Sequence, residues 1–471
     1  MTRPQSRARR QAAFMEEAKR MFDQMEEWYD AHPQASFGEI ETEARKRRRE
    51  LMGKALAQLV NGRDAGTQVE LPKCKQCGRG MEFEGYRDWN IHGLEGDSLL
   101  ERAYYVCPEC EGQTLFPLDV KLNLRADHWS EGAARVAVRQ GLLGKSFELA
   151  AEAYSDATGG HMSKDSLRRV TEGWGQVMEE KRQAEAKQLY VAEVPQLVSK
   201  IVTVNKPIQE LANISSDGGM VLLREEGWKE VKMSVISEVK PKMATSSKQE
   251  VSPEIRTPRH ALSGRAAVLT RHSYQAGLWN ADEMGQHQYL EGARRQVGLC
   301  RRLSSVNDGA PWIDRITTSN YPQAVQIIDW YHADERLWKV SKAAFGEGSL
   351  QSQQWVEKQA DLLWHGHVKE VVNALHTLDW NHISCLEDVR QSPAYFESRQ
   401  SKMDYAYFRQ AGYPIGSGTV ESGVNTVVHH RMKRQGRGWK RKNAQAMLAA
   451  LSEFHSGRFQ IAWQSGLPVS T

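Results

Sequence analysis

Nowhere in these 471 residues do eighteen apolar residues run together, so no membrane-spanning helix is expected. The N-terminal stretch Met1-Thr2-Arg3-Pro4-Gln5-Ser6-Arg7-Ala8-Arg9-Arg10 is basic and lacks the apolar core of a signal peptide. Cysteine is scarce: there are six, and four of them fall between positions 74 and 110. That clustering is a metal pattern in a reducing compartment and argues against a disulfide framework. A large net charge is also missing, since 63 Lys and Arg against 59 Asp and Glu leave +4. Any affinity for a polyanion must therefore come from local clusters, of which Arg45-Lys46-Arg47-Arg48-Arg49 is one. A cluster of this kind binds nucleic acid or is merely solvated. With 40% apolar and 26% charged residues, the chain is long enough for two to four soluble domains.

The four clustered cysteines form two CxxC pairs, Cys74-Lys75-Gln76-Cys77 and Cys107-Pro108-Glu109-Cys110. Each pair sets two thiolates on a tight turn, and two such turns close a tetrahedral Zn2+ site. Strand-like pieces at Met81 to Tyr86 and Arg102 to Val106 lie between them, as a zinc ribbon needs. All four positions are cysteine, so no ligand place is left for a catalytic water and the zinc is expected to be structural.

Towards the C-terminus, Gly412-Tyr413-Pro414-Ile415-Gly416-Ser417-Gly418-Thr419-Val420-Glu421-Ser422-Gly423 reads as a glycine loop entering a helix, with Ser417 or Thr419 as cap. Val420, Val424, Val427 and Val428 mark one side of that helix, and Glu421, Asn425 and His429 a polar stripe on another. Seven Lys or Arg and no acid follow between Arg431 and Lys442. A carboxylate able to hold a divalent metal, beside cations able to hold phosphates, suggests metal-dependent chemistry on nucleic acid. A helix cap followed by a solvated basic face would look the same.

Residues 1–65 read as helical, broken at His32-Pro33, and form a hairpin or a dimerising arm; 66–120 is the ribbon. Helical patterns at Trp129 to Leu143, Phe147 to Tyr154 and Ser163 to Glu180, the last two joined by Thr158-Gly159-Gly160, suggest a helix-turn-helix within 121–182. Lys164, Arg168 and Arg169 would face DNA. After a linker at 183–205 the periodicity changes. Leu211 to Gly219, Trp228 to Ile236 and Ala266 to Tyr274 read as strands, with a polar loop at 240–262. Asp282 to Val297 reads as a helix and Arg302 to Asn307 as a strand. A short helix follows, then a strand at Ala324 to Asp329. This is the element order of the RNase H fold, here filling 206–471 with an all-helical insertion at about 333–412. That fold carries acids on the first strand, after the fourth and on a later helix, where Asp217, Asp308 and Glu421 stand. Asp-Gly is also a common turn, so each Asp alone is weak evidence.

Taken together these residues resemble the DDE transposases of bacterial insertion sequences, most closely the ISKra group. The matching pieces are Ser216-Asp217-Gly218, Glu226-Gly227-Trp228-Lys229-Glu230-Val231-Lys232, Asp308-Gly309-Ala310-Pro311-Trp312-Ile313 and Asp329-Trp330-Tyr331-His332. They continue through Gly416 to Ser422, Arg431-Met432-Lys433 and Ala444-Gln445-Ala446-Met447-Leu448. The resemblance implies two Mg2+ ions, or Mn2+, held by Asp217, Asp308 and Glu421, with Asp329 and His332 in support. It implies nicking at transposon ends and joining of the freed 3′-hydroxyl to target DNA. It also implies a bacterial, cytoplasmic, nucleoid-associated enzyme, with terminal inverted repeats and target DNA as partners, acting as a homodimer or higher oligomer. Arg431, Lys433, Arg434, Arg437, Lys440 and Arg441 would contact phosphates. Two other classes fit the same residues: an RNase H-like nuclease or resolvase that cuts without joining, and a non-catalytic zinc-ribbon and helix-turn-helix DNA-binding protein.

Overall fold

The computed structural model describes residues 5–191, 206–241, 267–434 and 437–465. Positions 192–205 of the expected linker and all but the first two residues of the 240–262 loop lie outside the described residues. Contacts divide the chain into two compact units, residues 1–177 with 463–471, and residues 178–462. The protein is mixed α/β, and no helix among the described residues is long and apolar enough to cross a membrane.

The first unit opens with helices α1 (Arg7–Ala31) and α2 (Phe37–Asn61), broken at His32-Pro33 as the sequence suggests. Ser6 caps α1, and Ser36 with Glu39 forms a reciprocal capping box on α2. Strands β1 (Glu82–Gly93) and β2 (Gly96–Val106) pair antiparallel, and β3 (Thr114–Leu115) adds to β2. This hairpin is far longer than the two strand pieces legible in the sequence. Its central residues, Asp88-Trp89-Asn90-Ile91-His92, alternate only weakly, and the fold settles them by packing. At the hairpin tip a Cβ on Gly96 would meet the Arg49 carbonyl of α2 at 1.9 Å. Only glycine allows that approach, and its φ of 127° also suits glycine. Arg102, 3% exposed, lies between the rings of Trp89 (4.3 Å) and Phe116 (4.1 Å) and pairs with Asp119 at 2.5 Å.

Helices α3 (Pro117–Leu122), α4 (Glu131–Leu143) and α5 (Phe147–Thr158) follow, and α6 (Lys164–Val191) runs on past Glu180, through much of the expected linker, into the second unit. The basic run on α2 corrects a sequence expectation. Arg45 donates to the carbonyls of Asp156 and Ala157 at 2.9 and 3.0 Å, and Arg49 reaches Thr158 at 3.2 Å. These are the orphan carbonyls at the C-terminus of α5, where cations are favoured. Arg45 and Arg49 are therefore not merely solvated.

The second unit holds a five-stranded sheet: β4 (Leu211–Leu223), β5 (Gly227–Pro241), β6 (Ala267–Gly277), β7 (Arg302–Asn307) and β8 (Val325–Ile328). Its order is β6-β5-β4-β7-β8, antiparallel on the β4–β5–β6 side and parallel from β4 to β7 to β8. Helix α7 (Ala281–Arg294) follows β6, and α8 (Pro311–Asn320) links β7 to β8. A helical region then runs from α9 (Trp330–Phe345) through α10 (Leu350–Trp364) and α11 (Val368–His376) to short helices ending at α14 (Tyr405–Gln410). Trp330, Phe396 and Tyr405 are among its buried core, so these aromatics serve packing. The chain returns through α15 (Gly418–Gly423), a π-helical segment at Val424–His429, α16 (Arg441–His455) and α17 (Phe459–Ser465).

One buried ionic network ties α6, α7, α16 and the turn after α16. Arg458 bonds both oxygens of Glu291 (2.7 and 3.1 Å) and both of Glu453 (2.7 and 3.2 Å). Arg294 bonds Glu453 at 2.8 Å and Glu185 at 2.7 Å. The Arg458 and Arg294 guanidiniums hold both buried carboxyls, Glu291 and Glu453, below the usual range against the opposing effect of burial. Arg458→Met would leave Glu291, which has no exposed surface, without its main partner. The expected cost is about 3–5 kcal/mol, read as a lower urea midpoint for this unit.

Candidate functional site

The two CxxC turns face each other, and the four sulfurs of Cys74, Cys77, Cys107 and Cys110 lie within 4.8 Å of one another. Each turn closes on its own backbone: Gly78 N–H donates to Cys74 O at 2.9 Å, and Gln113 N–H to Cys110 O at 3.2 Å. Gly78 (φ 74°) and Gly112 (φ 77°) supply the left-handed residues these turns need. The amides of Cys77 and Gln76 draw the Cys74 thiol down to about 7, while the neighbouring sulfurs, Cys77 first, push Cys110 up to about 12. Four sulfurs competing for negative charge are a donor set suited to a zinc ion. Zinc analysis of protein purified without chelator should find one ion per chain. Cys107→Ser, or chelation, should unfold the ribbon, seen as loss of protease resistance around β1 and β2.

The predicted acids gather on the second unit. Asp217 sits within β4, opposite Met233 of β5, and its Oδ1 accepts from Gly218 N–H at 2.7 Å. The strand does not end there, as the Asp-Gly pair suggested, but continues to Leu223. Gly219 has another purpose: a Cβ would meet Val424 at 2.8 Å and His429 Nε2 at 3.3 Å, so glycine admits the π-helical segment against β4. The second pair is a true turn. Asp308 directly follows β7, its Oδ1 accepts from Ala310 N–H at 2.9 Å, and Gly309 has φ 86°. Backbone pairing of β4 with β7 stops at Ile214 and Ser305. The Asn307 side chain then takes over, accepting from Ser216 N–H at 2.6 Å and donating to Ser305 Oγ at 2.7 Å. The strands thus open where Asp217 and Asp308 stand. Asn307 is a residue that sequence reasoning missed, because its partners are long-range.

Glu421 lies exposed in the first turn of α15 and accepts from Ser417 Oγ at 3.3 Å. Ser417 occupies the cap position without making a side-chain cap bond. Its N–H instead donates to Asp329 Oδ2. Asp329, fully buried at the start of α9, also accepts from Tyr331 N–H at 2.5 Å and His332 N–H at 3.1 Å. His332 Nδ1 stands 3.6 Å from Asp329 Oδ1. Asp329, His332 and Glu421 offer donor atoms within 4.8 Å of one another. The triad expected to do this was Asp217, Asp308 and Glu421, and the tightest convergence is a different one.

Electrostatics still couples all five groups. Burial raises the Asp217 carboxyl, and the charges of Asp308 and Glu421 raise it further. His332 is pushed up to about 9, first by Asp329, then by Asp308 and Glu421. The imidazole is therefore a cation at neutral pH, balancing part of the acidic charge. Asp329 is held low by His332 and Ser417 despite burial. An NMR titration should show His332 losing its proton near pH 9, and Asp329→Asn should bring that midpoint back towards 6.5.

The cations predicted for DNA divide into two sets. Arg431 is 3% exposed and sits over the Trp439 ring at 5.4 Å, and Arg441 makes a bidentate pair with Glu226 at 2.7 and 2.6 Å. Arg434 donates to its own helix at His430 O, 2.8 Å. Lys433, Arg437 and Lys440 are exposed, on a strap that Trp439 pins to β4 through Leu222 O and Arg224 N–H. In the first unit, Lys164 lies 3.8 Å from Glu148, Arg168 contacts Asp165 at 3.2 Å and Glu172 at 3.5 Å, and Arg169 donates to Ser166 at 3.1 Å. Exposed pairs of this kind are weak, about 0–1 kcal/mol each, and exchange readily for other anions.

No family model matches the chain. Over 94 residues it is 30% identical to the UPF0236 protein in vanSb 3'region of Streptococcus gallolyticus, a stretch covering 19% of this chain and 21% of that protein.

Proposed function

We propose that this protein is a metal-dependent DNA transposase of the DDE class, with an RNase H-like catalytic unit. The observation that carries the reading is the electrostatic coupling of Asp217 to Asp308 and Glu421, acids separated by 91 and 113 residues, beside one opened strand pair. A sheet of order β6-β5-β4-β7-β8, interrupted by a helical region before the last acid, supports it. So does the sequence resemblance to the ISKra group. A nucleic-acid strand would lie over β4 and α15, its phosphates met by Lys433, Arg437 and Lys440. Helix α6, bearing Lys164, Arg168 and Arg169, would hold transposon ends.

Carboxylate oxygens, with Asp217 raised first by burial and further by the charges of Asp308 and Glu421, are a donor set for hard divalent cations. Asp217, Asp308 and Glu421 would hold Mg2+ or Mn2+, which when bound activates an attacking hydroxyl and stabilises the leaving oxygen. Asp329 is a positioning residue: its carboxylate fixes the backbone of Ser417, one turn before Glu421, and the orientation of His332. Ser417 in turn orients the Glu421 carboxylate.

Asp217→Asn, Asp308→Asn and Glu421→Gln should each abolish cleavage of labelled transposon ends in Mg2+, while end binding persists. A double variant should be scarcely worse than a single one, because the acids act as a unit. Cleavage near the wild-type rate by Glu421→Gln would remove the third acid from the assignment. Cutting without transfer of the 3′ end to a second duplex would favour the nuclease reading.

A further inference from the structure

Helix α1 carries two lines of side chains, one facing α2 and one mostly exposed. Arg10, Glu17 and Gln24 lie on the line facing α2: Arg10 reaches Gly62 O at 3.4 Å, Glu17 pairs with Lys54 at 2.9 Å, and Gln24 accepts from Arg47 at 3.3 Å. The second line is Met15, Ala18, Phe22, Met25 and Tyr29, spaced by three, four, three and four residues. That is the seam of a coiled coil, apolar through two heptads. Met15 is 59% exposed, Phe22 61% and Tyr29 52%, Ala18 and Met25 between them are half-buried, and no residue of α1 is fully buried. Single exposed apolar residues are ordinary, but a line of them at heptad spacing on a 25-residue helix is a docking face.

Charge identifies the occupant. Residues 7–20 carry Arg7, Arg9, Arg10, Lys19 and Arg20 against Glu16 and Glu17, five minus two, or +3. Residues 21–31 carry Asp23, Glu26, Glu27 and Asp30 with no cation, or −4. The first turn has no acid and the last turn no base. This arrangement opposes the helix dipole, which favours acids at the N-terminus and bases at the C-terminus. It works against the helix in isolation, so it answers to something outside it. A second α1 laid antiparallel sets each +3 half on a −4 half and opposes the two dipoles, whereas a parallel copy sets like on like. The same patch then serves both partners, as a two-fold interface requires.

We infer that α1 docks a second copy of this chain, antiparallel, along Met15, Ala18, Phe22, Met25 and Tyr29. Two α1–α2 hairpins thereby form a four-helix bundle. The interface is independent of the catalytic reading.

The test is light scattering on the full chain across a dilution series, without DNA. The wild type should be a dimer. Met15→Asp with Phe22→Asp should be a monomer with unchanged zinc content and helical circular dichroism. Replacing Asp23, Glu26, Glu27 and Asp30 by Lys should raise the dimer dissociation constant by roughly tenfold or more. A parallel pair meets like charges before and after that reversal, so an unchanged constant would overturn the antiparallel assignment. A monomeric wild type, or a dimer surviving the two Asp substitutions, would overturn the interface itself. Should the variants misfold, hydroxyl-radical footprinting of the wild type decides: Met15 and Phe22 should be protected when concentrated and reactive on dilution, and reactivity independent of concentration would sink the proposal.

Discussion

The second unit depends on one buried carboxylate. Asp329 has no exposed surface, and an ionised group in that position is stable only when fully hydrogen-bonded. Its partners are the N–H groups of Tyr331, His332 and Ser417, with the His332 imidazole beside it. Two of those amides belong to the first turn of α9, and the third belongs to the glycine loop that enters α15, 88 residues later in the chain. A single side chain therefore fixes the end of β8, the start of the helical region and the approach of Glu421. Trp330 N–H donates to Ile415 O at 2.9 Å and closes the same junction from the backbone. The helical region between these points can be long because its two ends are joined here.

Much of this unit is legible in the sequence. The strands at Arg302 to Asn307 and Ala324 to Asp329 stand out as short β-branched or apolar runs between turn residues, and the structure places them within a residue of those limits. The paired CxxC spacing likewise foretells a single cluster of sulfurs. What escapes is whatever depends on partners far along the chain. Asp217-Gly218-Gly219 looks like a turn, yet here Gly219 admits the π-helical segment against a continuing strand. The resemblance gives Asp329 and His332 only a supporting part, and nothing local shows that the Asp329 carboxylate also holds Ser417. The π-helical segment at Val424–His429 is invisible to a 3.6-residue period, although Glu421, Asn425 and His429 do fall in line; His429 Nδ1 lies 3.1 Å from Asn425 Oδ1. Such segments cost regular hydrogen bonding and are found mostly at functional sites.

Counting charges in the sequence also misjudges what arginine does. Arg102 lies between two rings, Arg182 is buried against Glu179 and the Trp279 ring, and Arg294 and Arg458 hold the interior of the second unit together. Arg45 and Arg49 close the end of α5. Guanidinium is suited to these places because its planar fork satisfies several acceptors at once and is weakly hydrated. Of the two basic runs visible in the sequence, the first is largely consumed by structure and the second only in part. Lys433, Arg437, Lys440 and Lys442 are left exposed at the second run.

The acids and the arginines are two sides of one constraint. Burial raises the Asp217 carboxyl and the charges of Asp308 and Glu421 raise it further, so an ionised Asp217 opposes folding in the state described. His332 offsets part of that repulsion as a cation. The remainder must be carried by rigidity elsewhere, and the network of Arg458, Glu291, Glu453, Arg294 and Glu185 lies deep among α6, α7 and α16. Gln275 of β6 joins this network to the sheet through Glu291 at 3.0 Å. A site whose own side chains favour separation is thus kept assembled by strands and helices that are locked together behind it. That division explains why the β4–β7 ladder can stop early at Ile214 and Ser305 without the sheet coming apart: the opening beside Asp217 and Asp308 sits on a framework whose cohesion does not pass through it.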